Sequence, residues 1–433
     1  MRDTPRPLCP SRNHPLPNLT HDFRGLDLDE KILIHEVTGG HPLVLSLFGI
    51  LLEKEGEAVF DLLEEDKSDG AEEFLDFMIS IVYGRLSEGA RKTADSAWVF
   101  YDEVVFDFYV NLMDLKEQEK IVELNRSLKE LAAWGLVDSY RDSFRMHPAV
   151  RSFLREKNRE KEKGLLKKAG VIYFLHSQNY PGDIWYHVKA SEYFLEAGEN
   201  QPAAEVISDV AHLLDATGLW EYARDLCEKF IGLTEGKYRT FFLHSLARIN
   251  MGHNLLDDAE ENYRDLLKEG GENEKAHYFH QLGSIAEIKK EFREAVGHYN
   301  QSLELSRKTG DKAGEARTLH QMGILSETRE EYDAALKCYE RSLEIKKEVG
   351  DARGSLYSRG QLGLFFLKRS NFPEALRHTF EAFKIACDER MDEKEKVLEQ
   401  IYELRGMQEE EKFYETAREL GIDHEFRERI GYI

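Results

Sequence analysis

The chain has 433 residues, with 59 Lys+Arg against 82 Asp+Glu and a formal net charge of −23. That length can bury a sizeable core and hold several domains, which excludes wholesale disorder. The acidic balance weighs against nucleic acid as a partner, because neutralising phosphates takes clustered Lys and Arg.

Cys9, Cys227, Cys338 and Cys387 stand far apart in the chain. That spacing argues against a zinc site or a disulfide framework and fits a reducing, cytoplasmic setting. No apolar run approaches the roughly 18 residues of a membrane span, so no membrane partner is expected.

Residues 1–24 hold half of the ten prolines and no periodicity, and read as a disordered leader. An apolar helical pattern over Asp27–Val37 stops at Gly39-Gly40. Pro42 then opens a second helix reaching Leu52, and the acidic loop EEDKSDG follows. Together these make residues 25–80 a helical segment. Short helices are predicted over Leu86–Ala97 and Glu103–Leu112. The spacing of Ile121, Leu124, Leu128 and Leu131 predicts an amphipathic helix. Alternation from Gly135 to His147, with a turn at Arg141-Asp142-Ser143, predicts a β-hairpin. Three helices and a hairpin make residues 81–160 a winged helix. Its third helix sets Glu117, Glu119, Glu123 and Glu130 against Lys120, Arg126 and Lys129, a poor match to a phosphate backbone. The basic stretch Arg151–Lys161 reads as a solvated helix joining two domains.

A repeat fills the second half. Gly283, Gly323 and Gly363 recur every 40 residues, each followed 12 residues later by Ala295, Ala335 or Ala375. Tyr299, Tyr339 and Thr379 come 4 residues after those alanines. Ala247, Ala259 and Tyr263 continue the frame 36 residues earlier, and Ala211, Ala223 and Cys227 another 36 earlier. Small residues let two helices approach, and the aromatic side chain fills the gap to the next hairpin. No single hairpin buries both faces, so the units must stack. Residues 162–420 therefore read as an array of helical hairpins with capping helices at its end.

Leu282, Gly283, Ala295, Tyr299 and Ser302, repeated as Met322, Gly323, Ala335, Tyr339 and Ser342, resemble the tetratricopeptide repeat (TPR). The period of 40 exceeds the usual value of about 34, and the linkers TGDKAGEA and VGDARGSL carry a Gly-Asp joint. The order TGGHPLVLSL, YGRLSEGARKT, LKELAAWGLVDSY, FRMHPAVRSFLRE resembles the C-terminal part of the nucleotide-binding module of STAND ATPases, relatives of NB-ARC proteins. That resemblance implies an adenine contact near Gly40-His41-Pro42 and a phosphate contact at Met146-His147. The alternatives are structural: Pro42 as a helix start, and His147 as a polar residue closing the hairpin. No G-x-x-x-x-G-K-[ST] phosphate loop occurs, so neither nucleotide nor any other cofactor is expected. By the same resemblance, the chain is expected to begin after the ATPase core.

In TPR geometry the residue three before the Gly position faces the concave groove. Those residues include His244, His280 and His320. The residue six before it gives Phe241, His277, Arg317 and Tyr357, and the residue four after it gives Met251, Glu287, Glu327 and Leu367. Neighbouring hairpins lie about a helix diameter apart, on the order of 10 Å, too far for three histidines to hold one metal ion. The histidines are either a peptide-recognition row tuned by pH or packing and solvated residues.

No nucleophile elbow, H-E-x-x-H or paired-carboxylate motif appears. The expected class is a mainly α protein, a winged helix followed by a TPR α-solenoid. Its expected function is a non-enzymatic scaffold binding a peptide or helix of a protein partner in the groove. The alternatives are a regulatory fragment of a STAND switch and a winged-helix transcription regulator with a TPR sensor arm.

Overall fold

The structure, a computed structural model, describes residues 34, 41–56, 58–60, 71–180, 182–407 and 410–420. The expected leader, the Asp27–Val37 pattern except Ile34, Gly39-Gly40 and the acidic loop lie outside the described residues. The chain is mainly α and divides into two compact units, Met1–Val210 and Ala211–Ile433.

In the first unit, α1 spans Pro42–Glu55 and α2 Ala71–Arg85. Pro42 sits at the helix start, where its missing N–H costs nothing, and Gly56 ends the helix at φ 69°. Helix α2 is not among the elements expected from the sequence. Its signal was there in Phe74, Met78 and Val82 at helical spacing, and all three are buried. Arg85 of α2 pairs with Glu55 of α1 at 2.8 Å.

Next come α3 (Glu88–Ala97), β1 (Val104–Val105), α4 (Phe106–Leu112), α5 (Gln118–Ala133), β2 (Val137–Tyr140) and β3 (Ser143–Met146). Ser87 caps α3 by accepting from the Ala90 N–H at 3.2 Å. The helix expected over Glu103–Leu112 starts only at Phe106. The β-branched pair Val104-Val105 instead adds a strand to the hairpin, in the antiparallel order β1-β3-β2. The hairpin turns at Arg141-Asp142, with Arg141 at φ 51°, so Ser143 already belongs to β3. Gly135, just beyond α5, holds φ 71°, and a Cβ there would sit 2.7 Å from Ile50 of α1. Helix α1 is thus seated on the turn that leads into the sheet.

Helix α6 (Pro148–Lys157) buries Val150 and Leu154. The stretch expected to be a solvated connector is therefore an amphipathic helix of the core. Helices α7 (Glu162–Asn179), α8 (Ile184–Glu196) and α9 (Asn200–Ser208) complete this unit. Helices α7 and α8 join it through aromatic packing: Phe108 meets Tyr173 edge-on at 5.0 Å, and Tyr193 stacks on Tyr101 at 5.0 Å. The first hairpin after residue 161 is thus part of the first compact body.

The second unit runs through α10 (Ala211–Ala216), α11 (Trp220–Leu233), α12 (Gly236–Gly252), α13 (Leu256–Glu269), α14 (Glu272–Ile288) and α15 (Phe292–Thr309). It continues with α16 (Lys312–Thr328), α17 (Tyr332–Glu348), α18 (Ala352–Lys368), α19 (Phe372–Asp388), α20 (Lys394–Gly406) and α21 (Glu410–Glu419). From α12 onward these are stacked antiparallel hairpins. The first helix of each hairpin keeps one length, 17 residues in α12, α14, α16 and α18. The change of period from 36 to 40 lies in the second helix, 14 residues in α13 against 18 and 17 in α15 and α17.

The glycines explain the close approach. A Cβ on Gly283 would lie 2.5 Å from the Tyr299 ring, and one on Gly323 would lie 2.6 Å from Tyr339. Each tyrosine therefore covers the glycine of its own hairpin, and Tyr339 also meets Phe365 of the next hairpin edge-on at 6.0 Å. At the Gly-Asp joints, Gly310 and Gly350 end helices at φ 76° and 72°. Asp311 and Asp351 then cap the next helices by accepting from Gly314 N–H at 2.9 Å and Gly354 N–H at 2.8 Å.

Candidate functional site

The expected groove residues lie on α12, α14, α16 and α18, the first helices of the four long hairpins. Their positions follow the repeat, but their partners run diagonally between hairpins. His244 meets His277 of the next hairpin, Nε2 to Nε2, at 3.3 Å. His280 Nδ1 lies 3.3 Å from Thr318 Oγ1, and His320 Nδ1 lies 3.4 Å from Ser358 Oγ. His280 is only 8% exposed, so its ring is part of the packing between hairpins.

Burial lowers all four proton affinities. His277, His280 and His320 are each pushed down to about 4, and His244 is lowered as well. Neighbouring cations add to the effect. Exposed Arg317 disfavours charge on His277 and His280, and Lys346 does so on His320. Near neutral pH these rings are uncharged hydrogen-bonding groups.

Lys346 of α17 was not singled out in the sequence. It is 8% exposed, and its Nζ donates to Ser358 Oγ at 2.8 Å. Burial lowers its pKa to about 8. One repeat earlier the same position holds Ser306, which is also buried. The repeat frame aligns Lys346 with Ser306, but burial of a lysine has no sequence signal of its own. Tyr357 is 52% exposed, and its hydroxyl donates to Glu393 at 3.1 Å.

Glu287 and Glu327 occupy equivalent places in two neighbouring cavities. The first, about 450 Å³, is lined by residues including Met251, Glu287, Ile288, Lys290, Phe292, Gln321 and Thr328. The second, about 570 Å³, includes Ile324, Glu327, Tyr332, Gln361, Lys368 and Arg369. In each, a tyrosine hydroxyl donates to the carboxylate: Tyr299 to Glu287 at 2.7 Å and Tyr339 to Glu327 at 2.9 Å. Lys368 then pairs with Glu327 at 2.7 Å, and Gln361 donates to it at 3.4 Å. Those contacts lower the Glu327 pKa against the cost of burial, whereas burial raises that of Glu287.

The residues of the nucleotide resemblance lie in the first unit. Pro42 is exposed at the start of α1. His147 caps α6, its Nδ1 accepting from the Ala149 N–H at 3.2 Å. Burial lowers the His147 pKa, and His41 is close enough to add to that lowering. Among the described residues, no group of three or more His, Cys, Asp or Glu could hold a metal ion. None of the described helices is long and apolar enough to cross a membrane.

Residues 274–348 match a family model described as the tetratricopeptide repeat. No curated protein matches the chain in sequence. Among solved structures, it is similar to PH0952 from Pyrococcus horikoshii, a STAND protein with a tetratricopeptide repeat sensor, at 16% identity and a TM-score of 0.50. That similarity covers 92% of this chain and 56% of the other, so the chain spans little more than half of that protein's length. It is also similar to the apo form of RapI, at 17% identity and a TM-score of 0.42, over 60% of this chain and 76% of the other. A third is BtubC from P. vanneervenii, at 18% identity and a TM-score of 0.39, over 53% of this chain and 92% of the other. At these identities the likeness is one of fold.

Proposed function

We propose that this chain, which carries tetratricopeptide repeats, is a protein-interaction scaffold whose second unit receives a peptide or helix of a protein partner. The receiving surface is the face formed by α12, α14, α16 and α18, with His244, His277, His280, Glu287, Arg317, His320, Glu327 and Tyr357 on or directly beneath it. The observation that carries this reading is the exposure of large apolar side chains on those same helices: Phe241 at 37%, Tyr357 at 52% and Leu364 at 38%. Such residues beside repeated cavities offer anchors for a partner, and stacked hairpins hold them rigidly. The mechanism is presentation of a preformed surface rather than bond chemistry.

Selection of a displayed random peptide library on the full chain tests this. Selected peptides are expected to bind an F241A/Y357A variant about tenfold or more weakly, the effect of losing aromatic anchors. Unchanged affinity would move the binding surface elsewhere.

A second reading rests on the resemblance, in the first unit, of Gly40-His41-Pro42 and Met146-His147 to the nucleotide contacts of STAND ATPases, together with the likeness in fold to the STAND protein PH0952. We read residues 81–160 there as a winged helix and the unit as the regulatory end of a STAND nucleotide switch. Calorimetry of ADP on the full chain would show micromolar binding under this reading, and no heat under the scaffold reading alone.

A further inference from the structure

We propose that the cavity around Glu287 takes a lysine or arginine side chain of the bound partner, with Glu287 as its counter-charge. The inference rests on the groove reading and specifies its chemistry. The two cavities are copies of one another displaced by 40 residues: Glu287, Phe292, Gln321 and Thr328 correspond to Glu327, Tyr332, Gln361 and Lys368. In the second cavity the chain supplies its own cations. Lys368 pairs with Glu327 at 2.7 Å, and the Arg369 guanidinium lies 3.7 Å from the centre of the Tyr332 ring.

The first cavity has the same carboxylate and the same kind of ring wall but neither of those cations; its own lysine, Lys290, stands at the position of Glu330, is exposed and forms no ion pair with Glu287. Thr328 stands where Lys368 does, and Arg329, the counterpart of Arg369, is turned to Glu331 at 2.8 Å. Among the described residues, no cation pairs with Glu287 and none lies over Phe292. Glu287 therefore keeps a half-buried carboxylate held by Tyr299, with desolvation unfavourable to its charge. An ammonium or guanidinium entering this cavity repeats the pairing already formed one hairpin further on. Its aliphatic stem would lie along Met251, Ile288 and Phe292, which suits an amphipathic side chain better than a small cation.

The test uses the full chain and peptides selected on it from a displayed random library. The expected peptides share a Lys or Arg whose replacement by norleucine weakens binding about tenfold or more, the order expected for breaking a partly buried ion pair. E287Q should weaken binding by a similar factor. Its amide oxygen still accepts from Tyr299, so thermal melting should be little changed. T328K should weaken binding too, by placing an internal lysine against an intact Glu287. Peptides without a shared basic residue, or bound equally by wild type, E287Q and T328K, would overturn the inference while leaving the groove reading in place. Failure to select any peptide would overturn both.

Discussion

His244 and His277, on neighbouring hairpins, face each other Nε2 to Nε2 at 3.3 Å. A hydrogen bond between them requires one nitrogen to donate and the other to accept, so at least one ring must be neutral. The pair joins the stack of first helices from within, and its protonation state is coupled to the stability of that stack.

A pH dependence follows. His277, His280, His320 and His378 are all held at about 4, below the ordinary value of 6.5. Above 6.5 the rings are neutral both folded and unfolded, and stability is full. As pH falls from 6.5 towards 4, the unfolded chain binds protons that the folded chain refuses, so stability is lost across that window. Thermal melting followed by circular dichroism should show a falling midpoint over this range. H320Q should make the fall shallower.

The glycine at each hairpin's closest approach predicts contrasting substitutions. G283A places a Cβ 2.5 Å from the Tyr299 ring and should cost about 1–3 kcal/mol, the range for an overpacked contact. Gly360 also lies within a helix, but nothing stands within 4 Å of an added Cβ. G360A should therefore stabilise by about 0.5–1 kcal/mol through helix propensity alone. Urea unfolding of the two variants measures the contrast.

Lys346 is a buried cation whose close partner is the neutral Ser358 hydroxyl. K346M removes the desolvation penalty, and the Ser358 hydroxyl, which only accepts from Lys346, keeps its own proton for His320. The variant should be at least as stable as wild type at pH 7. The folded pKa of about 8 lies below the ordinary 10.5, so the wild-type penalty is complete below pH 8 and fades as pH rises to 10.5. The advantage of K346M should therefore shrink over that interval in pH-dependent denaturation. An advantage that grows with pH would contradict the burial of a charged lysine.

Much of this arrangement was legible in the sequence, and the reason is physical. The Gly283–Tyr299 pairing needs a small and a large residue at fixed separation, and such a constraint leaves a visible period. The Gly310-Asp311 joint was legible because a left-handed helix end and a capping carboxylate each favour one residue type. The partners of the histidines were not. His280 reaches Thr318 and His320 reaches Ser358 along diagonals set by how successive hairpins lean on one another, a quantity no single repeat encodes. Glu287 and Glu327 looked equivalent in the sequence. Their difference lies at Thr328 and Lys368, one hairpin away, and the groove positions of a single repeat do not include that place. Val104-Val105 carries no strand signal in the sequence, because two residues are too few to display a strand's alternation.

The most direct measurement is hydrogen exchange of the full chain with and without an excess of a library-selected peptide. Slowed exchange is expected in α12, α14, α16 and α18, with α13, α15, α17 and α19 little changed. Protection confined to those second helices, or to the first unit, would contradict it.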